Sequence, residues 1–594
     1  MSGERRLFLD VRRSAGGLAW THRLSERQDM AALAIAQSHG VPDIVSRVLA
    51  GRGVTALDAA RFLDPTIRDL LPDPSSLTDM DKAATRLTEA VTRKEKVAIF
   101  GDYDVDGAAS SALLKRFLAH FEVPSEIYIP DRVFEGYGPN PDAMRELVSR
   151  GARLIVTVDC GTNSAAAIGA AREAGADVVV LDHHQVAGAL PDAVAVVNPN
   201  RQDDLSGQGH LCAAGVVFLA LVRTVAVLRA QTPGAALPDL LSLLDLVALA
   251  TVCDVVPLTG VNRAFVVKGL AVMRQQLHCG LTELARVARI GEPLNTFHLS
   301  FVIGPRINAG GRIGDAALGS RLLATDDPVE ARTIAETLDR LNQERQTMEQ
   351  EMLAEARAEA DAELAGGNGP AIVVTASDKW HPGIVGLIAS RLKDYARRPA
   401  FAIAFSPSGT GTGSGRSVPG FDLGRLVREA TEAGLIVKGG GHAMAAGITV
   451  ERAKLGALRA FFEDRAAADV FRLQDEESLF VDAALAAEGA TLELLDTLDQ
   501  AGPFGTGHVA PLFALPRHRL IDVRPVGANH LRADLASESG GRIQGIAFRS
   551  IDTPLGDFLL KSRGGTLHVA GSLSANYWNG GRRVQFRIVD AAPA

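Results

Sequence analysis

The stretch Val97-Ala-Ile-Phe-Gly-Asp-Tyr-Asp-Val-Asp-Gly107 joins a short apolar run to three acids at alternate positions. The run from Val97 to Phe100 predicts a buried strand bounded by glycine, with a helix of small residues after the acids. Because alternate residues of an extended chain project to the same side, Asp102, Asp104 and Asp106 should converge at the carboxyl end of that strand. Three close carboxylates repel one another unless a cation holds them, and shared carboxylates are typical ligands of Mg²⁺ and Mn²⁺. The alternative is a strand-to-helix turn in which an acid caps the helix, for which one Asp would be sufficient.

The composition is that of a soluble globular protein with several domains. The chain has 594 residues, of which 47% are hydrophobic and 22% charged, and this length predicts roughly three to five domains. The net charge of -8 argues against a protein covered by basic surface, although it is compatible with a local basic groove for nucleic acid. The cysteines have no CxxC spacing, which fits buried thiols in a reducing compartment rather than a zinc ribbon or a disulfide framework. They are Cys160, Cys212, Cys253 and Cys279.

No secretory signal or membrane span is expected. The N-terminus, Met1-Ser-Gly-Glu-Arg-Arg, has no long apolar run behind it, so it does not resemble a signal peptide. Two later apolar runs, Leu211 to Ala230 and Leu240 to Val256, are each interrupted by charged residues, and buried helices are the better interpretation. We therefore expect a cytoplasmic protein with no membrane contact.

Strand and helix signals alternate from about Asp79 onward. This alternation predicts an α/β fold with a parallel, doubly wound sheet, in which ligands bind beyond the carboxyl ends of the strands. The strand candidates are Val97 to Phe100, Glu126 to Ile129, Leu154 to Val158, Val178 to Leu181 and Ala193 to Val197, with helix candidates at Ala108 to His120, Pro141 to Ser149 and Ser164 to Ala174.

Chemically active residues follow each of the first four predicted strands. One such group would be interpreted as a helix cap or a turn, but four at one edge of a sheet predict a site. The groups are Asp102 with Asp104 and Asp106, Pro130-Asp-Arg132, Asp159-Cys-Gly-Thr and Asp182-His-His184.

A further acid, Asp254, ends an apolar helix candidate. Burying its charge without a partner is costly, which a metal would explain. The alternative is an Asp exposed at the turn before Pro257.

The order and spacing of these motifs resemble a known superfamily. Asp104-Val-Asp-Gly, Asp159-Cys-Gly, Asp182-His-His and Cys253-Asp-Val-Val-Pro-Leu are similar to the four motifs of the DHH phosphoesterases. The blocks Gly304-Pro-Arg-Ile-Asn-Ala-Gly-Gly-Arg-Ile-Gly314 and Gly439-Gly-Gly-His-Ala-Met-Ala-Ala-Gly447 resemble signatures of the single-stranded-DNA-specific exonucleases within it. One departure from the wider superfamily is Phe100, where some relatives have a histidine ligand, so water or substrate oxygen would complete the shell of one metal.

Residues and resemblance together predict a two-metal phosphodiester hydrolase that uses Mn²⁺ or Mg²⁺. The predicted ligands are Asp104, Asp106, Asp159, His183 and Asp254, with Asp159 as the bridge. His184 is expected to contact the scissile phosphate or the leaving oxygen instead of a metal. Asp102 is expected to orient the ligands from behind.

The resemblance implies processive 5′→3′ degradation of single-stranded DNA to mononucleotides, in DNA repair and recombination. Fixed arginines would hold a terminal phosphate, and glycine-rich loops with Arg416 or His442 would bind an anion through backbone N–H groups. It also suggests a monomer that works with a single-strand-binding protein and a helicase. The predicted substrate-binding residues are Arg132, Arg306, Asn308, Arg312, Arg416, Ser417, Gly440, Gly441 and His442.

Five segments are predicted along the chain. They are a helical N-terminal extension (1–85), a DHH catalytic domain (86–324), a connecting helix (325–368), a smaller α/β DHH-associated domain (369–470) and a C-terminal OB-type barrel (471–594).

The barrel prediction rests on short β-like runs with hairpin signals such as Asn579-Gly-Gly. Its candidate strands are Leu512 to Leu515, Leu520 to Val523, His530 to Leu535, Ile543 to Phe548, Leu567 to Leu573 and Val584 to Val589.

Two features of the barrel region stay open. Tyr577 and Trp578, beside Arg582 and Arg583, are suited either to stacking on bases and holding phosphates or to hairpin packing. His508 stands where the related segment usually carries an Asn, and it is assigned no role.

Two rival functions are compatible with the core motifs. A phosphodiesterase for short oligonucleotides or cyclic dinucleotides would share them, but it would not need the N-terminal extension or the barrel. A catalytically inert single-strand-binding scaffold would have lost metal ligands, whereas all the expected ligands are present here.

Overall fold

The computed structural model describes residues 6–131, 135, 138–365, 369–578 and 581–594, and the side chain of residue 578 lies outside this description. The chain divides into two compact units. Unit 1 comprises Met1–Asn308, Ala316–Glu336 and Ser478–Ala594, and unit 2 comprises Ala309–Asp315 and Thr337–Glu477.

The sequence predicted a helical N-terminal segment, but the structure has a strand before the helices. Ser25 caps the first helix by accepting from the Gln28 N–H, and the Gln28 side chain accepts from the Ser25 N–H in return, so two free amides are satisfied at once. The elements are β1 (Ala19–His22), α1 (Glu26–His39), α2 (Asp43–Ala50), α3 (Ala59–Leu63) and α4 (Ile67–Leu70).

A five-stranded sheet follows, and all its strands are parallel, as predicted. The strand order is β3-β2-β4-β5-β6. From β2 the chain adds β3 on one side and then β4 on the other, so the strand order reverses between β2 and β4. Ligands bind at such a point in open α/β sheets. The elements are α5 (Met80–Arg93), β2 (Val97–Phe100), α6 (Val105–His120), β3 (Ser125–Tyr128), α7 (Pro141–Ser149), β4 (Leu154–Val158), α8 (Ala165–Glu173), β5 (Asp177–Leu181) and β6 (Ala195–Val197).

Helices cover both faces of this sheet. On one face, α7 and α8 pack through Leu147 and Ile168 against Phe100, Ile155 and Val180. On the other face, α5 and α6 contact β6 and β2. Strands buried on both faces are continuous apolar runs rather than alternating ones, which is why short runs in the sequence located them so closely.

A helical layer follows this sheet in unit 1. By length and composition, the first helix, α9, could cross a membrane. It packs against α5, α6 and α10 instead, so the prediction of a buried helix is confirmed. A π-helical turn, Leu299–Ile303, joins α13 to α14. The elements are α9 (Ala213–Gln231), α10 (Leu244–Cys253), α11 (Gly260–Met273), α12 (Cys279–Val287), α13 (Thr296–His298), α14 (Gly304–Ile313) and α15 (Leu318–Ala324).

A long helix leads into unit 2, whose sheet is mixed. The boundary between the units falls within this helix. The sheet has the order β10-β11-β9-β8-β7, with β7 and β8 parallel and the other pairs antiparallel. The elements are α16 (Pro328–Leu364), β7 (Val373–Ser377), α17 (Val385–Ala396), β8 (Ala400–Phe405), β9 (Thr410–Arg416), α18 (Leu423–Glu432), β10 (Lys438–His442), β11 (Ala445–Glu451) and α19 (Leu455–Glu476).

The C-terminal part of unit 1 forms a closed barrel, which confirms the OB-type prediction. It closes because β14 pairs with both β15 and β17. The runs predicted as strands at 512–515 and 520–523 belong to one bulged strand, β14, so that detail was wrong. The elements are β12 (Ser478–Val481), β13 (Ala483–Ala484), α20 (Leu492–Ala501), β14 (Phe513–Val526), β15 (His530–Ala536), β16 (Arg542–Ala547), α21 (Pro554–Lys561), β17 (Thr566–Trp578) and β18 (Gly581–Pro593).

The two ends of the chain share a core, which the sequence did not reveal. Strand β1 pairs in parallel with β12. The fully buried Trp20 donates its indole N–H to Asp590 Oδ2 at 3.0 Å, 570 positions away along the chain. Apolar residues of α1 and α2, such as Ile35 and Leu49, belong to the same cluster as the barrel interior. The N-terminal segment is therefore part of the barrel's support.

Candidate metal centre

The acids after β2 sit where the strand turns into α6. Asp104 is the N-cap of α6, and its Oδ1 accepts from the Gly107 N–H at 3.0 Å. A Cβ on Gly107 would lie 2.4 Å from the backbone oxygen of Asp102, so only glycine lets the helix approach this closely. Helix capping accounts for Asp104 alone and leaves the other two acids to be explained, as the sequence suggested.

Asp106 is held by a second helix. It is 1% exposed, and its two oxygens accept from the backbone N–H groups of Ala213 and Ala214 at the start of α9, at 2.6 and 2.8 Å. These bonds and the helix dipole fix its orientation. Its Oδ2 lies 3.7 Å from His183 Nε2.

Asp159 follows β4 in a left-handed backbone conformation (φ 60°). The side chain is buried, and its Oδ1 makes no hydrogen bond within the described part of the chain. That oxygen lies 3.2 Å from His183 Nε2 and 3.9 Å from His184 Nδ1. A buried carboxylate oxygen without a hydrogen bond is costly, and a metal ion is a group that would satisfy it.

His183 and His184 follow β5 and are oriented by the Asp before them. Asp182 is 1% exposed and accepts from the backbone N–H groups of Thr162, His183 and His184. His184 Nδ1 also lies 2.8 Å from Asp182 Oδ1. This contact fixes the ring and leaves Nε2 as the nitrogen for chemistry.

Asp254 is the C-cap residue of α10. Its Oδ2 lies 3.8 Å from His183 Nε2, and its side chain is 24% exposed. The alternative of a solvent-exposed turn residue therefore does not describe it.

The structure brings every predicted ligand into one region. In three groups of side chains, the atoms that could bind a metal lie within 4.8 Å of one another. This spacing suits ligands shared between ions. His183 and Asp159 each belong to two groups. The groups are Asp159 with His183 and His184, Asp106 with His183 and Asp254, and Asp102 with Asp104 and Asp159.

The electrostatics of the cluster favour a bound cation. Burial raises the pKa of Asp106, Asp159 and Asp254, and the neighbouring carboxylates raise it further. Burial also acts to raise the pKa of Asp182, but the hydrogen bond and the charge of His184 outweigh it and lower that pKa. Burial acts to lower the pKa of His184, whereas Asp182 raises it to about 9. Asp182 is thus paired within the protein, and the other acids repel one another.

Two asparagines that the sequence did not single out support the histidine turn. Asn198 is fully buried, and its side-chain amide donates to Thr162 Oγ1 and to the His184 carbonyl at 2.9 and 2.8 Å. Asn200 donates to the His183 carbonyl. Both follow β6, at the same sheet edge as the acids, so the rule applied to the first four strands would have found them on the fifth.

The predicted phosphate-binding residues fall in different places. Arg132 lies outside the described residues. Arg306 is on α14, where its Nη1 donates to the Val302 carbonyl at 2.7 Å. Asn308 follows on the same helix, and its buried Oδ1 makes no hydrogen bond among the described residues. Arg312 belongs to unit 2, where it donates to the Gly383 carbonyl at 2.9 Å.

The two glycine-rich segments of unit 2 are strands, so their prediction as loops was wrong. Gly413 to Arg416 lie in β9, and Gly439 to His442 lie in β10. A Cβ on Gly415 would lie 2.4 Å from the Phe401 ring. The glycines of β9 therefore make room for bulky neighbours.

The polar side chains of these strands already have protein partners. Arg416 Nη1 donates to Ser414 Oγ and to the Gly415 carbonyl at 2.8 and 2.9 Å. The buried Ser417 donates to the Phe421 carbonyl at 2.7 Å. His442 is exposed at the end of β10, in register with Ala445, which pairs with Arg416. Strand β10 lies at the edge of its sheet, where about half the N–H groups of a strand are not paired by the sheet, and the role of Gly440 and Gly441 in substrate binding stays a prediction.

In the barrel, Tyr577 is 50% exposed, and Arg582 is paired with Asp496 and Asp499. Residues 579 and 580 of the predicted hairpin lie outside the described range. The buried His508 stacks on Phe504 and bonds through Nε2 to the Ala501 carbonyl at 2.7 Å. Burial lowers its pKa to about 4.

Comparison with known proteins agrees with this architecture. Residues 96–251 match the N-terminal domain of the DHH family, residues 368–468 the DHHA1 domain and residues 481–590 the RecJ OB domain. The single-stranded-DNA-specific exonuclease RecJ of Salmonella typhimurium is 36% identical over 576 residues, which cover 93% of this chain and 96% of the relative. The chain belongs to the RecJ family.

Other members of the RecJ family support this assignment. The Escherichia coli RecJ is 37% identical over 534 residues, covering 87% of this chain and 90% of that one. The crystal structure of RecJ in complex with Mn²⁺ from Thermus thermophilus has 29% identity and a TM-score of 0.78, covering 96% of this chain and 78% of that one. The likeness therefore extends from the N-terminal segment to the barrel.

Proposed function

We propose that this RecJ-family chain is a metal-dependent exonuclease that degrades single-stranded DNA from the 5′ end to 5′-mononucleotides. Its relatives are named single-stranded-DNA-specific exonucleases and match nearly its whole length. The observation that carries the proposal is the cluster of buried and half-buried acids with His183 at the ends of β2, β4 and β5 and of helix α10. Neighbouring strands of one sheet deliver these groups, so the fold holds them together against their repulsion.

The donor set fits Mn²⁺ or Mg²⁺, the ions in the related Thermus structures. Carboxylate oxygens with one imidazole suit these ions better than softer metals, and the unbonded Oδ1 of Asp159 needs a positive partner. When bound, two such ions lower the pKa of water and neutralise charge on the phosphate. Asp159 is our candidate for the bridging residue, with Asp104, Asp106, His183 and Asp254 divided between the two ions.

The other residues of the centre orient the ligands and handle protons. Asp182, Asn198 and Asn200 hold the backbone of the histidine turn. His184 is positioned by Asp182 at Nδ1, so its Nε2 is the atom we assign to the leaving oxygen or the scissile phosphate. Asp102 stabilises the turn, since its Oδ1 accepts from the Tyr103 N–H at 2.7 Å.

The substrate is expected to be held outside the metal centre. Arg132, Arg306, Arg312 and Arg416 are proposed to bind phosphates, because guanidinium groups bind them bidentately. Asn308 on α14 is proposed to contact the substrate through its side-chain amide. Ser417, Gly440, Gly441 and His442 are proposed to contribute contacts in unit 2. The affinity for the substrate, and with it the activity, should therefore fall as the salt concentration rises.

We further propose a cytoplasmic monomer that acts on strands exposed by a helicase and covered by a single-strand-binding protein. Light scattering of the purified chain at micromolar concentration tests the monomer. A mass of twice 62.6 kDa would contradict it.

Digestion of end-labelled single strands tests the function. A 5′ label should be released as mononucleotide at the earliest times, whereas a 3′ label should remain in gradually shortened products. Activity should require Mn²⁺ or Mg²⁺ and stop with EDTA, and a duplex of the same sequence should persist. Early release of the 3′ label, or full activity in EDTA, would reject the proposal.

A further inference from the structure

Two phenylalanines are exposed on the helix that leads into α14. Phe297 is 51% exposed and Phe301 is 70% exposed. No other phenylalanine or tyrosine in the described part of the chain is as exposed as Phe301. Their ring centroids are 5.3 Å apart with an angle of 35° between the ring planes, so they form one aromatic surface. The metal centre described above does not use either ring.

The segment that carries this aromatic pair packs against the helix that ends at Asp254. The π-helical turn Leu299–Ile303 contacts the last turn of α10 through two hydrogen bonds. Cys253 Sγ donates to the Leu299 carbonyl at 3.3 Å, and Ser300 Oγ donates to the Val252 carbonyl at 3.5 Å. The next residue after Cys253 is Asp254, a proposed metal ligand. Phe301 thus belongs to a turn that packs against the residues delivering that ligand.

The approach of the two helices depends on a glycine. A Cβ on Gly304 would lie 2.7 Å from Cys253 Sγ, a contact that real side chains do not tolerate. At the other end of the segment, Thr296 Oγ1 donates to the Phe504 carbonyl at 3.0 Å. The segment that carries both rings is therefore anchored at both ends within unit 1. A π turn is also a common feature of functional sites.

The chemistry of this surface suits a nucleic-acid base. Aromatic rings bind successive bases of a single strand by stacking, with little sequence preference because every base has a π-face. Arg306 follows Phe301 by five residues on the continuing helix, and Asn308 by seven, so groups suited to phosphate come directly after groups suited to bases. A single strand offers both, alternating along its length.

We propose that Phe297 and Phe301 form a base-stacking platform for the single strand beside the metal centre. The proposal rests on the proposed exonuclease function and deepens it by assigning the residues that bind bases rather than phosphates. It places an unpaired, unstacked strand at this surface, because the bases of a duplex are covered by their neighbours.

The test compares a normal oligonucleotide with one of equal length that contains abasic sites in place of its bases. The variant Phe301→Ala should raise KM for the normal strand about tenfold, since one base stacked on an aromatic ring contributes about that factor, and kcat should change less than twofold. On the abasic strand, where no base can stack, wild type and variant should have the same KM. Phe301→Trp should restore the wild-type KM, and Phe301→Leu should not.

Binding provides a second readout that does not depend on turnover. In EDTA, the affinity of Phe301→Ala for a fluorescent normal strand should fall about tenfold, with no fall for the abasic strand. Leu205→Ala is the matched control, because Leu205 is 93% exposed and apolar. Its KM and affinity should equal those of wild type.

Two results would overturn the platform. Phe301→Ala with an unchanged KM would show that the rings do not contact DNA. A protein partner would then be the better candidate to bind this aromatic surface. Equal losses on normal and abasic strands would show that the effect is not stacking. Failure of the exonuclease proposal is distinguishable from both, because the wild-type protein would then leave the normal strand intact.

Discussion

The metal centre of unit 1 and the glycine-rich strands of unit 2 were both predicted to bind ligands. Their polar groups differ in whether they have hydrogen-bond partners within the protein. In the metal centre, buried carboxylates raise one another's pKa, and Asp159 Oδ1 has no hydrogen bond among the described residues. At the end of β9, Arg416 and the next residue, Ser417, donate to groups of the same unit. The first region holds repelling charges that a cation would neutralise, and the second is already satisfied.

The difference teaches that residue type alone does not identify a site. The carboxylates of the metal centre repel one another, so a bound cation is needed to explain their grouping, whereas the glycines of β9 and the hydrogen-bonded Ser417 are explained by packing. Substitutions in the metal centre should therefore abolish the chemistry, and substitutions in β9 and β10 should have graded effects. The following predictions separate the two regions.

The largest effect is expected from Asp159→Ala. Removing the proposed bridging carboxylate should lower kcat at least about 10³-fold, because several kcal/mol of transition-state stabilisation depend on the ions. Single-strand binding, measured by fluorescence anisotropy, should stay within about threefold of wild type, because phosphate contacts elsewhere carry it. The control is Asp142→Ala, since Asp142 has a 98% exposed side chain on α7. Near-wild-type turnover of Asp159→Ala would remove the bridging role.

Asn198→Ala tests the support behind the histidines. The variant loses the amide that holds the His184 carbonyl and should lower Mn²⁺ affinity or turnover about 10- to 100-fold, as other losses of indirect ligand support do. Titrating activity against Mn²⁺ should move the half-saturating concentration upward. An unchanged Mn²⁺ dependence at wild-type stability would mean that the histidine turn does not need this support.

Arg306→Ala should distinguish the ends of the substrate. If Arg306 grips a terminal phosphate, kcat/KM should fall about tenfold for 5′-phosphorylated strands and less than threefold for strands with a 5′-hydroxyl. Arg145→Ala on α7 is a suitable control, because that side chain is 55% exposed. Equal losses on both kinds of end would remove Arg306 from the phosphate pocket.

The stabilising effect of Mn²⁺ should depend on pH. Asp106, Asp159 and Asp254 have a raised pKa in the metal-free fold. Their contribution to stability is therefore complete below the unfolded-chain value of about 4 and is lost as the pH rises through the raised pKa. Mn²⁺ replaces these protons, so the rise in Tm that a fixed Mn²⁺ concentration gives should grow with pH between about 5 and 8. The corresponding gain in unfolding free energy is ~2.7 kcal/mol where that concentration is 100 times Kd. A rise in Tm that is constant across this range would contradict the raised pKa.

The smallest effects compare two glycines of unit 2. Gly415→Ala should cost about 1–3 kcal/mol of unfolding free energy, because its Cβ would overlap the Phe401 ring, with kcat/KM per folded molecule unchanged. Gly440 has no heavy atom within 4 Å of a built Cβ, so Gly440→Ala should change stability by about 0.5 kcal/mol or less and raise KM if β10 contacts the strand. Denaturant unfolding and steady-state kinetics separate the two, and an unaltered KM for Gly440→Ala would remove it from substrate binding.

Much of unit 1 could be predicted because its signals are local. Val97–Phe100 and Leu154–Val158 are observed with the bounds that their apolar runs predicted. The position of the site at one edge of the sheet was predicted from the rule that parallel strands end on the same side. The structure brings Asp104, Asp159, His183 and Asp254 together because three of them follow neighbouring strands and the fourth ends a helix over the same edge.

The features that were missed depend on contacts between distant residues. No local pattern reveals that Trp20 bonds Asp590 or that β1 pairs with β12. The glycines of β9 looked like turn residues, because the bulky side chains that require them lie on β8 and β11. A π turn likewise cannot be predicted from composition, so the sequence did not single out Phe301.

The most direct test of the central claim is calorimetric titration of Mn²⁺ into the metal-stripped protein, with Asp159→Ala beside it. The account predicts about two ions bound per chain, with release of protons from the buried acids and loss of at least one ion in the variant. Binding of no Mn²⁺ by the wild-type chain, or the same stoichiometry and affinity in Asp159→Ala, would contradict it.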